Sequence, residues 1–308
     1  MTRSGIVTAR GLTKDYGQGR GIFDVSFAVE EGEVLGFLGS NGAGKTVTMC
    51  HLMGFVRPQA GVTRIFGLDC FAERAAIQGR LGYLPGETAV PEDMTGIAFL
   101  EYMAHLRRLR DHTRMHELIE RFKLDPKARI RRMSKGTRQK VGLVCAFMGR
   151  PDVLLLDEPT SGFDPLMQGR FVELVRQERD RGATVFLSSH IFEEVERTCD
   201  RVAFIRAGRL MSTERMGDVR ASRRHAFRVT FPSAEERARY QRACTLRGVK
   251  VHVLSEYDVE VWAGADVDAF VKELAGFRVE GLASREQTLE EMFLHFYGKD
   301  ATGEGDVG

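Results

Sequence analysis

Apolar and polar positions along the chain change period several times, and each change marks an element. Val34-Leu35-Gly36-Phe37-Leu38 is an unbroken apolar run, the pattern of a strand buried on both faces. Ile6 to Leu38 as a whole predicts short strands broken by glycine turns. A glycine-rich loop follows, then a helix expected over Lys45–Met53. From Met94 to Phe122 the spacing is helical, with Phe99, Leu100, Met103, Leu106 and Leu109 on one side. Lys135–Met148 predicts another helix, Val153–Leu156 a second buried strand, Arg170–Arg181 a helix and Thr184–Leu187 a strand. Val202–Met211 predicts a hairpin turning at Ala207-Gly208. Strands alternating with helices imply a largely parallel sheet covered on both faces.

Near residue 220 the texture changes. Phe227, Val229 and Phe231 alternate with polar residues, as do Val249, Val251 and Val253, and Val259 and Val261. Period two is the mark of half-buried strands. Helical stretches are expected near Ala234–Ala243 and Asp266–Leu274. Leu289, Met292, Phe293 and Phe296 fall on one helix face, opened by Thr288 and Glu291 at capping-box spacing. The expected organisation is therefore an α/β domain over 1–219 with a helical subdomain near 90–148, a small α+β domain over 220–298, and a polar, Gly-rich tail over 299–308.

Composition trims the possible functions. The 45 Lys and Arg against 43 Asp and Glu leave a net +2, so no whole-chain field for a polyanion is implied. The exception is local: 105–140 carries 13 basic and 4 acidic residues. Only Phe122 supplies an aromatic ring there, so nucleic-acid binding is not expected; a solvated face, or one near acidic head groups, is. No apolar run approaches the roughly 18 residues that span a bilayer, and the start leads into no apolar signal stretch. Five scattered cysteines with no Cys-x-x-Cys pair point to a reducing cytoplasm rather than a disulfide frame or zinc site.

The candidate chemistry lies in two places. Gly39-Ser40-Asn41-Gly42-Ala43-Gly44-Lys45-Thr46, followed by Val47, fills the phosphate-loop pattern between a predicted strand and a predicted helix. Glycines let successive N–H groups curl toward phosphate oxygens, and the helix start favours anions. Lys45 can reach the β- and γ-phosphates of a nucleoside triphosphate, and Thr46 can ligate Mg²⁺. Asp157 ends the second buried strand, at the crevice where open α/β sheets bind ligands. It can hold Mg²⁺ directly or through water, while Glu158 can polarise an attacking water as general base.

Taken in order, the residues resemble the ATP-binding cassette (ABC) ATPase family over about residues 5–219. Lys14-Asp15-Tyr16-Gly17 resembles the aromatic A-loop, where Tyr16 would stack on adenine. Met133-Ser134-Lys135-Gly136-Thr137-Arg138-Gln139-Lys140 is similar to the signature sequence, with Lys135-Gly136-Thr137 where Gly-Gly-Gln is usual. Asp157-Glu158-Pro159-Thr160-Ser161-Gly162-Phe163-Asp164 resembles the Walker B segment running into the D-loop, and Ser188-Ser189-His190 the switch histidine. The Ser-Lys-Gly signature, Pro165-Leu166-Met167-Gln168 and the terminal Leu289-Glu290-Glu291-Met292-Phe293 are similar to bacterial exporters with a separate permease, nearest the sodium-efflux and antibiotic-resistance group.

The resemblance implies a P-loop ABC cassette with a mixed sheet, acting as an ATPase. One chain holds one phosphate loop and one signature, so two copies would sandwich ATP, with Ser134 and Gly136 meeting the γ-phosphate bound by the partner. Lys45, Glu158 and His190 would form the catalytic set. The permease would dock near Gly86–Tyr102, placing the chain on the inner face of the cell membrane. One position departs from the family. After Gly82-Tyr83-Leu84-Pro85 a Gln is usual, but here Gly86 stands, followed by Glu87, which could take over the metal or water contact. Two alternatives are expected to fail. A permease-free ATPase of the translation or DNA-repair type would carry two cassettes or a long coiled-coil insertion. A cassette that binds ATP without turnover would lack some of Lys45, Asp157, Glu158 and His190.

Overall fold

The computed structural model describes residues 5–222, 225–246, 251–263 and 267–292. Val249, Asp266, Phe293, Phe296 and the 299–308 tail, singled out from the sequence, lie outside the described residues. The chain divides into two compact units, Met1–Met216 and Gly217–Gly308.

The first unit begins with β1 (Val7–Asp15), β2 (Gly21–Val29), β3 (Val34–Leu38), α1 (Lys45–Leu52), β4 (Ala60–Ile65), β5 (Leu68–Asp69), α2 (Arg74–Gln78) and β6 (Leu81–Leu84). It continues through α3 (Gly96–Leu106), α4 (Thr113–Arg121), α5 (Lys135–Phe147), β7 (Val153–Asp157), α6 (Pro165–Asp180), β8 (Thr184–Ser189), α7 (Phe192–Thr198), β9 (Arg201–Arg206) and β10 (Arg209–Arg215). A six-stranded sheet has the order β10-β9-β3-β8-β7-β6 and is parallel except at the β9–β10 hairpin. Every residue of β3, β7 and β8 is buried, as the apolar runs Val34–Leu38, Val153–Leu156 and Val185–Leu187 at their centres favour. Each fully buried Val, Leu or Phe contributes roughly 1.5–3 kcal/mol.

Helices alone do not cover that sheet. A second, antiparallel sheet of order β2-β1-β4-β5 shares its core, with Phe27 stacked 5.1 Å from Phe186 and 5.6 Å from Phe37. The stretch expected to be helical from Met94 to Phe122 is broken. Thr95 caps α3 by accepting a hydrogen bond from Ala98 N–H, but Arg108 adopts φ 55° and the chain turns before α4. Leu106 is consequently 56% exposed instead of joining the buried stripe. Part of the basic 105–140 segment is structural: Arg114 and Arg121 of α4 bind Glu178 and Gln177 of α6.

The division between the units falls at α8 (Met216–Ala221). The second unit runs β11 (His225–Thr230), α9 (Ala234–Leu246), β12 (Val251–Val253), β13 (Asp258–Ala263), α10 (Val267–Leu274) and β14 (Gly281–Glu286). The sheet order β12-β13-β11-β14, antiparallel throughout, is a split βαβ arrangement of ferredoxin-like type. Phe227, Val229, Val259 and Val261 pack against Tyr240, Cys244, Phe270 and Leu274. Thr288 and Glu291 form the reciprocal capping box that their spacing predicts, at 3.0 and 3.2 Å.

Candidate functional site

Parallel pairing in the six-stranded sheet sets Leu38 opposite Ser189 and Asp157 opposite Ser188. The loops leaving β3, β7 and β8 therefore emerge side by side at the carboxyl ends of their strands, where open α/β sheets form ligand crevices. Gly44, at φ 108°, makes the turn into α1, a conformation that favours glycine. Its Cβ, were one present, would lie 3.4 Å from Gly21 O, so the hairpin carrying Tyr16 abuts the loop. Tyr16 itself is half-exposed, its ring free for stacking apart from Lys14, whose ammonium lies 5.6 Å from the centroid. Ser40, Asn41, Gly42 and Thr46 are exposed, Gly39, Ala43 and Gly44 are buried, and Val47 packs partly buried against the core.

Lys45 folds back over its own loop. Its Nζ donates to Gly39 O at 2.8 Å and Ser40 O at 3.1 Å, and pairs with Glu158 Oε1 at 3.2 Å. The same Oε1 lies 3.2 Å from His190 Nδ1. Glu158 thus joins the three residues expected to be catalytic. It occupies φ 46°, held there by its N–H donating to Ser188 O at 3.0 Å. A non-glycine residue pays roughly 1–2 kcal/mol for that backbone, and such strain persists where the surroundings over-determine it.

Thr46 Oγ1 donates to Asp157 Oδ2 at 3.0 Å, and Ser188 Oγ donates to Asp157 Oδ1. A buried carboxylate beside a hydroxyl is an all-oxygen donor set, the chemistry that hard divalent cations such as Mg²⁺ require. The Asp157 charge is felt nearby. Burial chiefly, and then Asp157, raises the pKa of both the Cys50 thiol and the Tyr83 phenol.

Among the described residues no hydrogen bond joins Glu87 to Asp157. Glu87 is exposed and lines a cavity of about 330 Å³ with Thr88, Ala89, Lys135, Arg138 and Gln139. Gly86 instead approaches the metal-type pair, where an added Cβ would stand 3.4 Å from Asp157 Oδ2. Ser134 caps α5, its Oγ accepting from Thr137 N–H at 3.2 Å. Gly136 packs so closely on Gly162 that a Cβ would meet its carbonyl oxygen at 2.4 Å. Among the described residues no hydrogen bond joins Ser134 or Gly136 to this chain's own phosphate loop.

Several residues around the site carry no motif role. Ser188 fixes Asp157 and Glu158. Buried Gln139 accepts from Thr88 Oγ1 at 2.9 Å and donates toward Glu158 O and Pro159 O at 3.5 and 3.4 Å. It sits within the signature stretch, yet local spacing says nothing of partners 51 residues upstream and 19 downstream. Glu194 lies behind the His190 turn and bonds to Ser189.

Comparison with known proteins matches this geometry to a family. The chain fits the family model for the ABC transporter over residues 22–161. It is 32% identical over 304 residues to the daunorubicin resistance ATP-binding protein DrrA3 of Streptomyces coeruleorubidus, covering 96% of each chain. It is 32% identical over 211 residues to the bacitracin transport ATP-binding protein BcrA of Bacillus licheniformis, covering 68% of this chain and 69% of that one. A solved ATP-binding subunit of an ABC transporter superposes with a TM-score of 0.64 at 28% identity, over 70% of this chain and 92% of the other. A dimeric ATP-binding cassette solved with ADP and Pi after hydrolysis shares the fold, with a TM-score of 0.62 at 19% identity, over 68% and 98%.

Proposed function

The chain belongs to the ABC transporter family, as a nucleotide-binding, ATP-hydrolysing component, and from that premise we propose that two copies sandwich ATP and drive a drug or antibiotic exporter through a separate membrane permease. The observation that carries the reading is the meeting of Lys45, Glu158 and His190 on one carboxylate oxygen, beside the Thr46–Asp157 pair. Tyr16 stacks on the adenine. The exposed start of the phosphate loop receives the phosphates, with Lys45 as their cation. Thr46 and Asp157 would hold Mg²⁺, which would supply charge neutralisation for the phosphates.

The chain's own residues set the order of events. Without nucleotide, Glu158 neutralises Lys45. A γ-phosphate that draws Lys45 away frees Glu158 to accept a proton from the attacking water while His190 orients it. Among the described residues Ser134 Oγ and the N–H groups at the start of α5 make no hydrogen bond to their own phosphate loop, which suits them to the γ-phosphate held by the second copy. ATP then joins the two copies, and loss of its terminal phosphate removes the shared ligand and lets them part.

The relatives named for daunorubicin and bacitracin suggest the class of cargo. Among the described residues no helix is long and apolar enough to cross a membrane, and the path for that cargo is assigned in this reading to the separate permease. The permease is proposed to dock near Gly86–Tyr102, which would hold this chain at the cytoplasmic face of the membrane. The deciding experiment is Glu158→Gln. ATP affinity should persist, turnover should fall by about 10²-fold or more, and a stable dimer should accumulate on size-exclusion chromatography with ATP. Unchanged turnover would remove Glu158 from the chemistry.

A further inference from the structure

Glu194 is a buried carboxylate beside the site with no task in the mechanism above. It stands in the first turn of α7, and among the described residues no cation pairs with it. Its Oε2 accepts from Ser189 Oγ at 2.5 Å, and Ser189 Oγ in turn accepts from Ile191 N–H at 2.9 Å. The two bonds clamp the chain on both sides of His190. Ser189 also ties the turn to the phosphate loop, its carbonyl accepting from Gly39 N–H at 3.3 Å. On the other flank, the Thr160 hydroxyl bears on the same carboxyl, two residues beyond Glu158. The second oxygen, Oε1, is buried without a well-formed hydrogen bond.

A carboxyl buried with no counter-charge costs stability, and a structure that needed only packing there would be better served by an apolar side chain. What the carboxyl offers instead is an acceptor for the Ser189 hydroxyl at the end of β8, with the Thr160 hydroxyl of the loop after β7 nearby. We propose that Glu194 is a positioning residue for ATP hydrolysis, fixing the turn that carries His190 through Ser189. The inference rests on the ATPase reading and deepens it. Glu194 touches neither nucleotide nor water; it sets the 3.2 Å approach of His190 to Glu158.

The test uses the full chain, steady-state ATPase kinetics and binding of a fluorescent ATP analogue. Glu194→Ala should lower kcat about tenfold with the analogue's Kd within twofold of wild type. Glu194→Gln keeps an acceptor for Ser189 and should recover kcat to within about threefold. Because Glu194 acts through His190, adding Glu194→Ala to His190→Ala should cost less than twofold more, whereas a residue that merely supports folding would cost the same factor in both backgrounds. Should Glu194→Ala not fold, Ser189→Ala breaks the same bond without emptying volume, and should show the same kcat loss at unchanged affinity. Wild-type kcat in Glu194→Ala or in Ser189→Ala, or equal costs in the two backgrounds, overturns the proposal. A wild-type chain whose hydrolysis does not depend on Glu158 overturns the ATPase reading as well, which separates the two failures.

Discussion

Among the described residues the two units of the chain differ in how they place charge: both carry ion pairs near solvent, but only the first buries charged side chains. Residues up to 216 bury Lys45, Asp157, Glu178 and Glu194. The second unit keeps its ion pairs near solvent: Arg228 with Asp258 at 3.0 Å, Arg285 with Glu260 at 2.8 Å, Lys272 with Asp268 at 2.5 Å. Desolvating a charge costs several kcal/mol, so a fold that only had to be stable would adopt the second pattern. The first pattern therefore points to chemistry wherever the buried charge lacks a compensating partner of its own. The sharpest way to break this contrast is Lys45→Ala. Its ammonium is tied to its own loop and to Glu158, and Glu158 keeps His190 as a second partner. The expected outcome is loss of ATPase by about 10²-fold or more, read by phosphate release, with an unfolding midpoint close to wild type.

Glu178 sharpens the comparison from within the first unit. Its carboxylate is as buried as those of Asp157 and Glu194, yet it is held by Arg114 at 2.7 Å and Arg181 at 2.8 Å, joining α4 to α6. Here burial serves the fold. Removing one member of a buried pair strands the others, so Glu178→Ala should destabilise the full chain by about 3–4 kcal/mol in urea, with the Kd for ATP unchanged in the fraction that folds. A stability loss below about 1 kcal/mol would erase the distinction between the two kinds of buried acid.

The same distinction explains what the sequence discloses. The phosphate loop and the Asp157-Glu158 step are legible because their chemistry is local: the residues must be adjacent for the backbone to curl or for a strand to end in acid. The split topology of the second unit is half legible, since β11 and β13 alternate cleanly, whereas β14 (Gly281–Glu286) buries none of its residues and shows no apolar period. Ser188, Gln139 and Glu194 are illegible as site residues. Ser188 meets Asp157 only through the parallel pairing of β7 and β8, Gln139 bonds to Thr88 51 residues upstream, and Glu194 reaches back from α7 to Ser189 at the end of β8. The end of α3 before Arg108 is illegible for a different reason. A continuous helical spacing does not encode the one residue that leaves the helical backbone.

Glu194 also makes the contrast measurable by pH. Burial, and to a smaller extent Glu158, pushes its pKa from the ordinary 4.5 up to about 7, although the Ser189 and Thr160 hydroxyls pull the other way. Between those values the folded chain keeps a proton that the unfolded chain has released. The contribution to stability is therefore complete below about pH 4.5 and is lost as pH rises through 7. By pH 8 the loss amounts to about 3 kcal/mol. Glu194→Gln cannot ionise, so its urea midpoint should fall less than wild type's between pH 5 and pH 8. Parallel curves would mean the carboxyl is not desolvated as its surroundings require.

The smallest effect belongs to the second unit and tests the other half of the contrast. Lys272 and Asp268 are one turn apart on α10, both about three-quarters exposed. Water already solvates both charges, and holding two long side chains in one geometry costs rotamer entropy, so little net energy remains. An i,i+4 pair with the acid on the N-terminal side contributes roughly 0.2–0.5 kcal/mol, and salt screens it. Lys272→Ala should shift the unfolding midpoint by less than about 0.5 kcal/mol, a difference that should vanish in 0.5 M NaCl and leave ATP hydrolysis at wild-type rate. A loss of several kcal/mol that survives salt would mean this pair is shielded like Glu178, and exposure would no longer separate the charges that hold the fold from those that do the work.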